Sequence, residues 1–193
     1  INMKIAIIGS GGREHAIAAT ISKSSAINEI VCIPGNAGTS KIATNVEIDI
    51  NEFDKLHKFI KENSIDLVVV GPEQPLVNGI VDYLEKFDIK VFGPNRIASQ
   101  LEGSKIFTKK LCQEYNIPTA NFGIFENRVD AKKFLENTKY PNVIKADNLA
   151  AGKGVYICNN EQESLMAVEE IFDGKFGEAK NVLIEEFLKG EEM

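Results

Sequence analysis

Three glycine-bearing segments carry the first hint of chemistry. Gly9-Ser10-Gly11-Gly12-Arg13-Glu14-His15 follows an apolar run and opens an amphipathic one. Glycines let a backbone turn tightly there, and the N–H groups at a helix N terminus attract an anion. A dinucleotide fingerprint is a poor match, because Glu14 occupies the third glycine position of GxGxxG. The second apolar run, Val31-Cys32-Ile33, also leads into Pro34-Gly35 and not into an acidic residue. A phosphate or phosphosugar fits better than NAD; the alternative is a tight turn needed only for packing. His15 reads as a helix N-terminal residue, with little claim to catalysis. Pro34-Gly35-Asn36-Ala37-Gly38 and Gly71-Pro72-Glu73-Gln74-Pro75 each follow an expected strand. Either alone is an ordinary turn. Together with the first loop they would line one edge of a sheet, where open α/β sheets bind ligands.

The second half has its own candidates. Asp147-Asn148-Leu149-Ala150-Ala151-Gly152-Lys153-Gly154 has the look of a Walker A loop but lacks its first glycine, and Gly154 stands where Ser or Thr would hold magnesium. A strand is expected after it, Val155–Cys158, where a P-loop needs a helix. A small-residue turn with a lysine between two strands can still fold over phosphates through backbone N–H groups. Such a turn is expected to be mobile over Leu149–Gly154 without nucleotide. Val182-Leu183-Ile184 runs into Glu185-Glu186-Phe187-Leu188 and then Gly190-Glu191-Glu192, which by itself reads as an edge strand with solvated charges. His57, Lys109 and Lys110 read as solvated helix faces. The three cysteines, Cys32, Cys112 and Cys158, are scattered without CxxC spacing and read as reduced core or strand residues in a cytosolic compartment.

These segments need a frame. Continuous β-branched runs at Ile5–Ile8, Ile30–Ile33, Val46–Ile48, Leu67–Val70 and Val91–Phe92 suit strands covered on both faces. Helical patterns alternate with them at Glu14–Lys23, Glu52–Asn63 and Val77–Phe87. The expectation is an α/β, doubly wound parallel domain over 1–103. A connector over 104–121 holds a helix at Lys105–Tyr115, ended by Ile117-Pro118. A small α+β lobe over 122–193 follows, with strands at Phe122–Phe125, Val143–Lys145, Val155–Cys158 and Val182–Glu186, and helices at Val129–Asn137 and Gln162–Phe172. With 44% hydrophobic residues the 193-residue chain can bury a real core, and a net charge of −6 makes nucleic acid and anionic membranes poor partners.

Taken in order, GSGGREH at Gly9–His15, PGNAG at Pro34–Gly38, GPEQPL at Gly71–Leu76, LEGSK at Leu101–Lys105, KADNLAAGKGV at Lys145–Val155 and EEFLKGEE at Glu185–Glu192 resemble the phosphoribosylamine–glycine ligase family over essentially the whole chain. Asn148 stands where that family commonly has glycine, a residue type that tolerates left-handed backbone. The resemblance implies an ATP-grasp lobe in the second half. It also implies ATP-dependent ligation of glycine to 5-phosphoribosylamine, with Mg2+ (or Mn2+) held by ligands beyond residue 193 and none in this chain. Carried over residue by residue, Lys105 and Lys145 would contact phosphate and be catalytic, and Gly152, Lys153 and Gly154 would cover the phosphates. Glu185, Glu186, Phe187 and Leu188 would hold adenine, and Glu192 the ribose hydroxyls. Gly9, Gly11, Gly12, Arg13, Asn36, Gly38, Pro72 and Glu73 would bind the phosphoribosylamine. The resemblance makes this chain an N-terminal portion. Another ATP-grasp carboxylate–amine ligase and a non-catalytic nucleotide-binding module are the competing readings; a dehydrogenase fits least.

Overall fold

β1 (Met3–Gly9) is buried on both faces because its alternate side chains serve two cores. The computed structural model describes residues 2–147, 153–177 and 180–191. After β1 come α1 (Gly12–Ile21), β2 (Ile27–Pro34), β3 (Thr44–Asn45), α2 (Phe53–Glu62), β4 (Leu67–Val70), α3 (Glu73–Val77), α4 (Ile80–Glu85) and β5 (Val91–Phe92). The strands form one parallel sheet in the order β3-β2-β1-β4-β5. Ile5 and Ile7 pack with Ala18 of α1, while Ala6 and Ile8 pack with Leu56 and Ile60 of α2 and Ile80, Val81 and Leu84 of α4. Helices on both faces are what continuous apolar strands require.

Two expected elements differ. Pairing with β2 is made by Thr44 and Asn45, not by Val46–Ile48. The N–H of Val46 still reaches Cys32 O (3.0 Å), but Val46, Ile48 and Ile50 then lay alternate side chains on the core without a ladder. The helix expected at Val77–Phe87 is two helices, because Gly79 at φ 92° breaks it between α3 and α4. The Gly71–Pro75 segment is accordingly more than a loop: Pro72 precedes the first turn of α3, and Pro75 sits within that turn, where a missing N–H is tolerated.

Internal contacts divide the chain into Ile1–Ser99 and Gln100–Met193. The second unit holds α5 (Gln100–Gly103), α6 (Lys105–Glu114), β6 (Phe122–Phe125), α7 (Arg128–Leu135), β7 (Asn142–Ala146), β8 (Val155–Cys158), α8 (Glu161–Phe172) and β9 (Val182–Glu186). Its sheet is antiparallel throughout, in the order β6-β9-β7-β8. Ile144, Ala146, Cys158, Val182 and Ile184 pack against Ala131 and Leu135 of α7 and Ala167, Val168 and Ile171 of α8. Strand alternation sends Phe122, Val143, Lys145, Val155, Ile157, Leu183 and Glu185 to the opposite face. On that face Val155 and Ile157 are 43% and 58% exposed. Among the described residues, no helix is long and apolar enough to cross a membrane.

Candidate functional site

In the first unit, the ends of β1, β2 and β4 bring the three glycine segments together. The N–H of Gly35 donates to Gly9 O (3.2 Å), and that of Gly71 to Ile8 O (3.0 Å). Asn36 ties two of the loops, its Nδ2 donating to Ser10 O (2.8 Å) and Gly11 O (3.2 Å) while Oδ1 accepts from the N–H groups of Gly38 (2.7 Å) and Thr39 (3.0 Å). Glu14, which spoils the dinucleotide fingerprint, is the residue at the centre. Only 3% exposed, it accepts from the Gly11 N–H (2.6 Å) and from Arg13 Nε (3.1 Å). A Cβ on Gly9 or Gly71 would lie 2.7 Å or 2.0 Å from its side chain, so these glycines make room for a carboxylate under the loop. Sequence reasoning missed that role, although the i to i+3 spacing of Gly11 and Glu14 at a helix start was the signal.

Arg13 is bracketed by acids, its Nη1 meeting Glu73 Oε1 at 3.1 Å. The Glu73 carboxyl is held below the usual range, first by its own N–H at the start of α3 and then by Arg13. A Cβ at Gly9 would lie 2.9 Å from Pro72, and one at Gly38 would lie 2.7 Å from His15, whereas nothing lies within 4 Å of one at Gly12. Gly9, Gly11, Gly12, Arg13, Asn36, Gly38, Pro72 and Glu73 therefore share one edge of the sheet. The edge combines a helix N terminus, which favours an anion, with a half-exposed arginine and glutamate able to bind hydroxyl groups.

In the second unit, charge gathers on the sheet face opposite α7 and α8. Ser104 caps α6, its Oγ accepting from Phe107 N (3.0 Å) and donating to Asp147 at the end of β7 (3.1 Å). Asp147 also accepts from Ile106 N (3.1 Å), so a carboxylate closes the N terminus of α6. That fixes Lys105, whose Nζ donates to Ala146 O at 3.1 Å. Burial pushes the Lys105 pKa down, Asp147 opposes this, and Lys145 adds to it. Lys145 Nζ lies 3.0 Å from Glu185 Oε2.

Lys109 corrects the expectation of a solvated face. One turn on from Lys105 it is 8% exposed, with Nζ 3.3 Å from Glu185 Oε2, 2.7 Å from Thr119 Oγ1 and 3.2 Å from Ala120 O. Its ammonium also stands 5.3 Å from the Phe122 ring centroid. Helix position alone did not reveal that α6 turns this residue inward. His57 differs in the same way, half-buried and stacked on Phe87 at 3.8 Å. Cys32 and Cys158 are buried in strands.

Glu185 is not a solvated charge either: its side chain is 7% exposed, and Oε1 is buried with no hydrogen-bond partner among the described residues. Glu186 lies on the other face, accepting the Asn121 N–H at 2.9 Å. Phe187 is half-buried and Leu188 is 63% exposed. A cavity of about 780 Å³ lies here, lined in part by Asn121, Phe122, Tyr140, Glu185, Glu186 and Phe187. Lys153 is exposed, and the Gly154 carbonyl accepts from Ala146 N at 2.9 Å. Gly152, Glu192 and most of the turn expected to be mobile lie outside the described residues. Converging lysines on one sheet face fit a nucleotide's phosphates, and a partnerless buried carboxylate oxygen fits a ligand that donates a hydrogen bond. Among the described residues, no group of three or more His, Cys, Asp or Glu could hold a metal.

The antiparallel second unit is of the ATP-grasp class, its residues matching an ATP-grasp domain over 103–193. The fold is shared with the biotin carboxylase domain of Hydrogenobacter thermophilus 2-oxoglutarate carboxylase, a structure in complex with MgADP (TM-score 0.78, 21% identity, 96% of this chain and 44% of that one). Within the class, residues 3–102 match the N domain of phosphoribosylglycinamide synthetase and residues 103–193 its ATP-grasp (A) domain; the chain belongs to this family. A phosphoribosylamine–glycine ligase of Brucella melitensis is 49% identical over 191 residues, covering 98% of this chain and 45% of that protein. One of Clostridium acetobutylicum is 45% identical, covering 98% and 46%. The crystal structure of the Thermotoga maritima ligase has a TM-score of 0.81 at 34% identity, again covering 98% and 45%. The chain thus spans a little under half the length of these relatives.

Proposed function

We propose that the chain serves the ATP-dependent ligation of glycine to 5-phosphoribosylamine, giving glycinamide ribonucleotide, ADP and phosphate. The observation that carries this reading is the family match running unbroken through both units. In the reaction, the glycine carboxylate takes the γ-phosphoryl group of ATP, because a carboxylate by itself is a poor electrophile. The amine of phosphoribosylamine then displaces phosphate from the glycyl phosphate. Such chemistry is mainly positioning and charge neutralisation.

Lys105 and Lys145 hold phosphate oxygens, with Lys153 and the flanking Gly152 and Gly154 covering them. Glu185 to Leu188 hold adenine, partly through backbone groups, and Glu192 holds the ribose. Gly11, Gly12 and Arg13 take the phosphate of phosphoribosylamine, and Asn36, Gly38, Pro72 and Glu73 complete that site with Gly9. Mg2+ (or Mn2+), when bound, neutralises phosphate charge, and its ligands are assigned to the part of the relatives' length that this chain does not span. The setting is the cytosol, where the three cysteines stay reduced. The test is ADP release by the full-length protein: it is expected only when glycine and phosphoribosylamine are both present. Release with a different carboxylate or amine, or with neither, would sink the reading.

A further inference from the structure

The lysines around Glu185 are not equivalent. Lys145 is 25% exposed at its side chain and lies within 3.0 Å of Glu185 Oε2. Lys109 reaches the same oxygen at 3.3 Å, but its side chain is only 10% exposed. Its ammonium is further held by Thr119 Oγ1 and Ala120 O at 2.7 and 3.2 Å. The proposed reaction gives Lys109 nothing to do. A buried ammonium nevertheless costs desolvation and persists only where it is matched. What matches it is Glu185, which is buried, engaged by two lysines through one oxygen and, among the described residues, without a hydrogen-bond partner on the other.

We propose that Lys109 is a positioning residue, a fixed counter-ion that holds Glu185 so that Lys145 is free to move to the nucleotide phosphates. The inference rests on the nucleotide-binding reading above. Lys145 can be drawn from Glu185 to a phosphate only if the carboxylate it leaves stays neutralised. Lys109 provides that, because Thr119 and Ala120 anchor its ammonium and keep it from following. Without Lys109, Lys145 becomes the sole partner of a buried carboxylate, and drawing it away strands a charge. Nucleotide binding then weakens although no contact to nucleotide has been removed. The effect must depend on the charge of Glu185, which a merely structural role would not.

The test is a cycle in the full-length protein with Lys109→Met, Glu185→Gln and the double variant, titrated with MgADP by calorimetry and assayed for the KM of ATP. Methionine keeps the length of the stem and removes the charge. Lys109→Met alone is expected to raise the ADP Kd and the ATP KM by about tenfold or more. In the Glu185→Gln background the same change should shift neither by more than about twofold. Equal losses in both backgrounds would overturn the proposal. Should Lys109→Met alone not fold, Glu185→Gln and the double variant still decide: matching Kd values support the role, and a tenfold gap refutes it. Failure of the unmodified protein to bind MgADP would remove the nucleotide reading and this proposal together. Tight binding with equal losses removes the role of Lys109 alone.

Discussion

At the scale of single residues, most of the work is done by carboxylates that neutralise something nearby. Glu14 fills the space that Gly9 and Gly71 leave and holds the Gly11 N–H and Arg13. Gly71→Ala would set a Cβ 2.0 Å from Glu14 Oε1, so that a buried, hydrogen-bonded carboxylate must shift. Urea unfolding should show a loss of about 1–3 kcal/mol, with Gly12→Ala, where nothing lies within 4 Å, as the neutral comparison. Equal stability of the two variants would refute the account. Lys145→Ala in the full-length protein should remove a phosphate contact that strengthens as charge develops, lowering kcat by roughly 10²-fold or more. Near-normal turnover would sink that assignment. The glycine loops were legible in the sequence because backbone freedom is a local property, whereas Lys145 was singled out only by the family resemblance. Glu14 and Lys109 were not legible, because their meaning lies in burial, which depends on elements distant in sequence: Gly71 for one and Glu185 for the other.

Elements were legible where both faces of a strand are covered, as in β1, β2 and β4, since burial on two sides demands an unbroken apolar run. The edge of the sheet escaped the same logic. Val46, Ile48 and Ile50 are apolar for packing, while pairing falls on the polar Thr44 and Asn45 just before them. The break at Gly79 depends on a left-handed φ that a glycine permits but does not announce. The start of α6 is the element that positions Lys105, proposed above to hold phosphate. Ser104 and Asp147 together satisfy the amides of Phe107 and Ile106. Ser104→Ala should cost about 1 kcal/mol, with Asp147→Ala adding the loss of a negative charge at a helix N terminus. Hydrogen exchange at Ile106 and Phe107 should rise ahead of exchange in β7. Unchanged protection of those two amides in both variants would show that the cap does not hold the helix start.

At the scale of the molecule, the chain offers cationic residues in one unit and glycine loops in the other, within a family whose relatives are about twice as long. A polypeptide ending at Met193 is therefore expected to bind nucleotide weakly and to release no ADP in response to glycine and phosphoribosylamine. The reason is electrostatic. Phosphoryl transfer concentrates negative charge between ADP and the attacking carboxylate, and that charge must be met in the transition state. Around the sheet face opposite α7 and α8 stand Lys105, Lys109 and Lys145, but Lys109 is held by Glu185 and Asp147 faces Lys105, which leaves Lys145 and the exposed Lys153 to meet the phosphates. What remains is too little positive charge for a triphosphate without a divalent cation held in place. On the same face Val155 and Ile157 remain 43% and 58% exposed. The measurement is a paired assay of the 193-residue polypeptide and the full-length protein at equal concentration, following ADP with each substrate omitted in turn. Release by the short polypeptide that depends strictly on both substrates would show that these lysines suffice, and the charge argument would fall.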